Sequence, residues 1–386
     1  MSERTCALES KAYQTLRQYY LDRDKAAKEW KLSGKKTVLT LGCDVPDEVI
    51  IAAGMLPVRV AGEWENGQPE ADKYLEHSFG PVWRAMWEKI VGGKSAWLYD
   101  YIAISKSSDM LIRMFYYLRE LKRFEPKRPI PPLKFIDYEL ILRNADSQRW
   151  NESETREFIR TVEGWASQKL SGEALREASR ICNDHREALA AFSALRKGES
   201  RVTGTEALTV IGASLFMDKK QSTALIRELT EEARTWPVVD AVPLFFTGSV
   251  QETTEVYELI ESLGGNVVSE DHDWGDRAFD RNVDTGIEPY RAITARYMYR
   301  FPSSERALVA DRCRVLPERI QEVGAKGLFV YMNFNDESYL LDYPDEKRIL
   351  DKLGIPSVEV TLQQVPMING DAVRAKLEKL IAEAKA

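Results

Sequence analysis

Histidine and cysteine are scarce here, three and four among 386 residues. His77, His185 and His272 are too few and too scattered for a histidine-rich metal site. Cys6, Cys43, Cys182 and Cys313 form no C-x-x-C pair, which argues against a disulfide framework in a chain of this length. No stretch approaches the roughly 20 apolar residues of a membrane span. The first residues, MSERTCALESKAYQTL, lack the apolar core of a secretory signal. There is no G-x-G-x-x-G and no P-loop, hence no flavin or NAD motif. Net charge is −7 and the pI is near 5.4. That balance argues against nucleic acid or an anionic membrane surface as the main partner, while leaving room for a local basic pocket. The expectation is a soluble, cytoplasmic protein.

What is present is ordinary globular composition, 44% hydrophobic and 30% charged, in a chain long enough for two or three domains. Residues 9–33 read as one amphipathic helix, the main element of an N-terminal segment 1–35. A first α/β unit spans 36–150. In it KTVLTLGC, LPVRVAG, WLYDYIAIS and LKFIDYEL (Leu133 to Leu140) read as strands, with helices near 46–54, 73–91 and after SSDML. Asp44 and Pro46 suit the start of the helix that Gly54 closes. Residues 151–235 read as a helical linker layer of two long helices, 152–198 and 204–235. A second α/β unit, 236–386, has strands VPLFFTGS, GLFVYMNF and PSVEVTLQ, and helices near 251–263, 288–323, 344–353 and 369–385. GGNVVSED is a mixed stretch. The fold class is therefore α/β, with two doubly wound, flavodoxin- or Rossmann-like parallel-sheet units, a helical layer and an N-terminal helix.

Ligands of such sheets bind beyond the carboxyl ends of the strands, so strand-end residues are the candidates. They are Cys43 after the first strand, Ser107, Ser108 and Asp109 after WLYDYIAIS, Gly248 and Ser249 after PLFFT, and Asn335 and Asp336 after GLFVYMNF. Backbone N–H groups of a helix beginning after Gly248 would favour an anion, although a tight turn capped by Ser249 explains the same residues. Helix capping likewise accounts for Ser107-Ser108-Asp109, and a turn or cap for Asn335-Asp336. Cys43 is either a thiol activated by a helix N-terminus or a small buried hydrophobe. Cys182 and Cys313 read as packing residues inside helices, with His185 on the same helix face as Cys182. The loop SEDHDWGDR is either a binding loop or simply solvated.

The chain resembles the 2-hydroxyacyl-CoA dehydratase and benzoyl-CoA reductase subunit family. VPDEVIIAAGMLPVRVAG resembles that family's P-E-(apolar)₂-x-A-x-G-(apolar)₂-P signature. LYDYIAISKSSDMLIRMFYYL, LFFTGSVQETTEVYELIESLGGNVVSEDHDWGDR and GLFVYMNFNDESYLLDYPDEKRILDKLGIPSVEV follow in the family's order, so the likeness runs from about residue 10 to 385. It implies a heterodimer of paralogous subunits, an acyl-CoA or aryl-CoA substrate, and a 4Fe–4S cluster held by three cysteines. It also implies an ATP-dependent activator that injects one electron for radical dehydration or ring reduction.

The departures fall on the cluster ligands. The family's two Cys-Asp turns are Ser108-Asp109 and Asn335-Asp336 here, and HSFGPVW stands where the third cysteine belongs. Iron–sulfur clusters are held by thiolates, which serine and asparagine do not supply. The resemblance thus implies a cluster-poor partner subunit whose mate holds the iron. Two alternatives stay open: a cluster-carrying subunit with atypical ligands, Cys43 being a weak candidate, and a redox-silent binding protein for a phosphorylated metabolite.

Overall fold

Runs of β-branched and aromatic residues become the strands of two sheets. The computed structural model describes residues 4–64, 67–93, 95–139, 145–304 and 307–386. The first sheet comprises β1 (Thr37–Leu41), β2 (Leu56–Arg59), β3 (Tyr101–Ser105) and β4 (Leu133–Ile136). The second comprises β5 (Val242–Gly248), β6 (Gly265–Glu270), β7 (Gly327–Asn333) and β8 (Ser357–Gln363). Every pairing is parallel, in the orders β2-β1-β3-β4 and β6-β5-β7-β8. Every residue of β1, β6 and β7 is buried, which is why β1 and β7 read as largely apolar runs rather than alternating ones. The α/β expectation holds. The mixed stretch GGNVVSED is corrected to a strand, β6, whose Asn266, Ser269 and Glu270 are buried and bonded rather than solvent-facing. The expected strand end at Leu140 lies outside the described residues.

The long helices of the sequence reading are broken by side-chain caps, a proline and a left-handed turn. In place of the one helix read over 9–33, residues 5–32 form three helices, Thr5–Glu9, Lys11–Leu21 and Lys25–Leu32. Ser10 is extended there and its hydroxyl accepts from the Tyr13 N–H at 3.2 Å, ending one helix and starting the next. Residues 73–91 divide into Pro69–Tyr74 and Pro81–Val91, because Pro81 excludes the helical conformation for Gly80. The linker layer holds four helices, Ala145–Ala166, Gly172–Ala194, Gly204–Ser214 and Lys219–Ala233. Ser167 turns left-handed at the first break, and the Ser171 and Asp218 side chains cap the helices after the first and last breaks. The segment read as a helix over 344–353 begins earlier, at Glu337.

Gly204–Ser214 is buried at all its positions and packs against helix Lys11–Leu21 on one side and β6 of the second lobe on the other. A Cβ on Gly204 would stand 2.9 Å from Tyr257 and Val267 of the second lobe, and one on Gly212 would stand 2.8 Å from Tyr20. Only glycine permits so close an approach at both ends. Among the described residues no helix is long and apolar enough to cross a membrane.

The lobes are joined at Arg300, a buried residue just past helix Pro289–Met298. Its guanidinium donates to the Cys43 carbonyl at 2.6 Å and Asp44 at 3.0 Å in the first lobe. It also donates to the Arg277 carbonyl, beyond β6, and to Asp280 at 3.3 Å. Asp44 therefore is not the helix cap the sequence suggested. Pro46 occupies the cap position instead, and helix Asp47–Ala52 starts without a side-chain cap. Removing one partner of a buried charge network leaves the rest uncompensated. Arg300→Met is expected to destabilise the chain by about 3–5 kcal/mol, measured by urea unfolding. A loss below about 1 kcal/mol would show that the junction does not depend on this residue.

Candidate functional site

The carboxyl ends of β1 and β3 face those of β5 and β7 across a narrow cavity of ≈ 40 Å³. Both sheets present a topological switch point there, because the chain leaves β1 and β5 for opposite neighbours. Gly42 turns out of β1 with φ +84°, and a side chain on it would collide with the Ser105 and Ser107 hydroxyls. Gly248 turns out of β5 with φ +124°, pressed against the Tyr331 carbonyl.

Ser107 and Ser108 line the cavity from the first lobe. The Ser107 hydroxyl lies 2.6 Å from that of Ser105, which receives the Asp44 N–H at 3.3 Å. Ser108 caps helix Asp109–Phe124 by accepting from the Leu111 N–H at 3.3 Å, as capping residues do. From the second lobe, the Ser249 hydroxyl donates to Asp336 at 2.5 Å and accepts from the Asn333 N–H at 2.8 Å. Burial pushes the Asp336 carboxyl above its ordinary value, opposed by the Ser249 hydrogen bond. Arg59 is the one cation among the residues lining this cavity, and Trp83, Met86 and Trp274 give it apolar walls. The lobes touch at the rim: Gly80 abuts the Phe334 carbonyl, and the Asn335 amide donates to the His77 carbonyl at 3.1 Å.

Four of the eight residues expected at strand ends line this cavity: Ser107, Ser108, Ser249 and Asp336. Asn335, in the left-handed conformation, bridges the lobes at the rim. Asp109 starts its helix with its side chain exposed, and Gly248 lies beneath the strand end. The expected helix start at Gly248-Ser249 is corrected: the helix begins at Glu255, and the Ser249 N–H is already bonded to the Tyr331 carbonyl at 2.9 Å. Ser249 joins the two strand ends instead of capping a helix.

Cys43 lies behind Gly42 and lines a second cavity. Burial pushes its thiol up to about 11, with Arg300 opposing, and its sulfur receives an Arg277 N–H at 3.4 Å. It is a neutral buried thiol in a structural turn. No cysteine lines the inter-lobe cavity, and among the described residues no group of three or more His, Cys, Asp and Glu could hold a metal. These residues do not fit a thiolate-held 4Fe–4S cluster.

Sequence reasoning missed Arg59 as a lining residue, while Asp273 and Trp274, which also line the cavity, belong to SEDHDWGDR, the stretch it left open as a binding loop. SEDHDWGDR is no solvated loop: Glu270, Asp271, His272, Trp274, Asp276 and Arg277 are all buried. The His272 Nδ1 accepts from the Trp274 N–H at 3.2 Å, so Nε2 carries the proton and donates to the Tyr257 hydroxyl at 2.8 Å. A neutral His272 thus holds Trp274 against the cavity.

A two-lobed α/β protein with its cleft where two switch points meet is the class that this geometry defines. The chain belongs to the 2-hydroxyglutaryl-CoA dehydratase, D-component, family, whose model matches residues 43–381. It is similar to the (R)-phenyllactyl-CoA dehydratase beta subunit of Clostridium sporogenes, 22% identical over 340 residues, covering 86% of this chain and 87% of that one. It is also similar to the (R)-2-hydroxyglutaryl-CoA dehydratase subunit beta of Acidaminococcus fermentans, 22% identical over 361 residues, covering 90% of this chain and 92% of that one.

Burial lowers His272 from 6.5 to about 4, the neighbouring aspartates opposing. The unfolded chain therefore binds the extra proton first, and this residue removes stability as pH falls through that window, by about 3 kcal/mol in full. Glu270, pushed up to about 7 by burial with Arg196 opposing, titrates in the opposite sense. Unfolding free energies measured across this range should fall less steeply with acidification in His272→Gln than in the unaltered chain. Identical slopes would remove His272 from the account.

Proposed function

We propose that this chain is the cluster-poor subunit of a heterodimeric, radical-type 2-hydroxyacyl-CoA dehydratase of the cytoplasm. In this reading a paralogous subunit holds the 4Fe–4S cluster, and an ATP-dependent activator supplies the electron. One observation carries the reading: in a chain matched to the family over residues 43–381, the two turns that face each other across the cleft are Ser108-Asp109 and Asn335-Asp336. Where the family resemblance has Cys-Asp, a hydroxyl and an amide occupy the rim, and neither is an iron ligand. Dehydration rather than aromatic ring reduction is favoured because both relatives carry dehydratase names.

The chain's own residues would then contribute the cleft and its polarity. Ser107, Ser108 and Ser249 offer hydroxyls, and Arg59 offers positive charge toward an acyl-CoA thioester with an anionic end. The Ser249–Asp336 hydrogen bond ties the ends of β5 and β7 together so that the second-lobe wall keeps its shape.

The isolated chain, purified without oxygen, is expected to lack stoichiometric iron and acid-labile sulfide. It should form a one-to-one complex with a paralogous subunit that retains the cysteines, and the complex alone should turn over a 2-hydroxyacyl-CoA once activated. A stoichiometric cluster in the isolated chain would instead identify it as a catalytic subunit with atypical ligands. Failure to pair, with thermal stabilisation by inorganic phosphate and none by CoA thioesters, would identify a phosphometabolite-binding protein. Ser249→Ala removes one bond that orders the cleft wall, and is expected to cost about 1–3 kcal/mol of stability through the stranded Asp336. Chemical denaturation of the two proteins side by side measures it, and an unchanged midpoint and slope would remove that role.

A further inference from the structure

Beside the inter-lobe cavity, and sharing Arg59 and Asp273 with it, lies a second cavity of ≈ 40 Å³. Its lining is strongly unbalanced in charge. Arg59, Arg186, Lys219, Arg296 and Arg300 face it, against Asp47 and Asp273. Most nearby carboxylates are already engaged. Asp47 pairs with Lys219 at 3.4 Å, Asp273 with Arg277 at 3.3 Å, and Glu48 with Arg186. Asp280 is divided between Arg296 at 3.1 Å and Arg300 at 3.3 Å. No carboxylate pairs with Arg59 among the described residues.

Hydrogen-bond donors are left over in the same place. Arg296 is 3% exposed, yet its Nε and one terminal nitrogen, Nη1, have no acceptor. The Nε of Arg59 and the Nε2 of His185, a residue 4% exposed, are likewise unsatisfied. Buried guanidinium donors without acceptors cost more than neutral ones, so something must meet them. A water molecule accepts about two hydrogen bonds and must place two hydrogens of its own. Beside three guanidinium N–H groups it would be short of acceptor capacity and would leave the charge uncompensated. An anion meets both demands.

We propose that this cavity is a binding site for one small monoanion, of halide or formate size, held by Arg296, His185 and Arg59. Arg296 is pushed down to about 10 by burial and by the neighbouring Arg186 and Arg300, despite Asp280, which fits a site short of negative charge. His185 is driven well below its ordinary value by burial and by Lys219 and Arg186, so it serves as a neutral N–H donor. Because Arg59 lines both cavities, the bound anion would also fix the side chain that supplies the inter-lobe cleft with its positive charge. The site requires nothing of the dehydratase reading, since it rests on this chain's interior alone.

The test uses the full-length chain in two ways. Crystals grown in sodium bromide are expected to show an anomalous bromine peak between Arg296 and His185. Water density there, with no peak, would overturn the proposal. In solution the thermal midpoint should rise saturably by a few degrees with chloride, bromide or formate at fixed ionic strength, and not with gluconate, which is too large to enter. The saturable part should vanish in Arg296→Met. Equal effects of gluconate and chloride, or an unchanged chloride response in the variant, would overturn the site. Should Arg296→Met fail to fold, the bromide map of the unaltered protein decides alone.

Discussion

A guanidinium removed from water must be surrounded by acceptors, and this constraint organises the junction of the two lobes. Arg300 gathers the Cys43 carbonyl, Asp44, the Arg277 carbonyl and Asp280 around one side chain. Arg196, with no exposed surface, does the same from the helical layer, reaching Glu270 at 2.5 Å and Asp276 at 2.7 Å beyond β6. Arg312 holds Asp271 at 2.9 Å and Glu346 at 2.7 Å. Such pairs contribute little net stability, because desolvation offsets most of the Coulomb gain. Their effect is on placement: the acceptors must lie where the planar, five-donor group can reach them.

The cleft follows from that placement. Two sheets of the same strand order are held with their switch points opposed, and the turns after β1, β3, β5 and β7 meet across a few ångströms. The character of the site is then set by a handful of positions on those turns. Ser108 and Asn335-Asp336 make it a hydroxyl, amide and carboxylate rim, and no thiol lies among them. The one cysteine near the junction, Cys43, is withdrawn behind Gly42 and enclosed by Arg277 and Arg300. A scaffold built to bring turns together keeps its shape while the turn residues change, so family membership and a changed role at the rim are compatible.

Much of the architecture was legible in the residues. Strands buried on both faces must be apolar throughout, so KTVLTLGC, YIAIS, VPLFFTGS and GLFVYMNF announced themselves, as did the glycine closing the first short helix at Gly54. Helix interruptions were less visible, since a single Ser10 or Ser171 decides each and serine is common inside helices too. The Gly80-Pro81 break is legible in the sequence, because proline disfavours a helical residue before it. β6 was obscured because its polar residues, Asn266, Ser269 and Glu270, find partners only after the chain has folded.

The sequence alone determined the α/β class, the two sheets, the helical layer and the positions of the strand-end turns, because these depend on periodicity and on residues near one another in the chain. Only the tertiary structure decided which turns share a cavity, that SEDHDWGDR is interior, and that Arg59, Arg296 and Arg300 are inward-facing. A charged side chain reads as solvated until its partners are known, and the Arg300 partners Asp44 and Cys43 lie more than 250 positions away in the sequence.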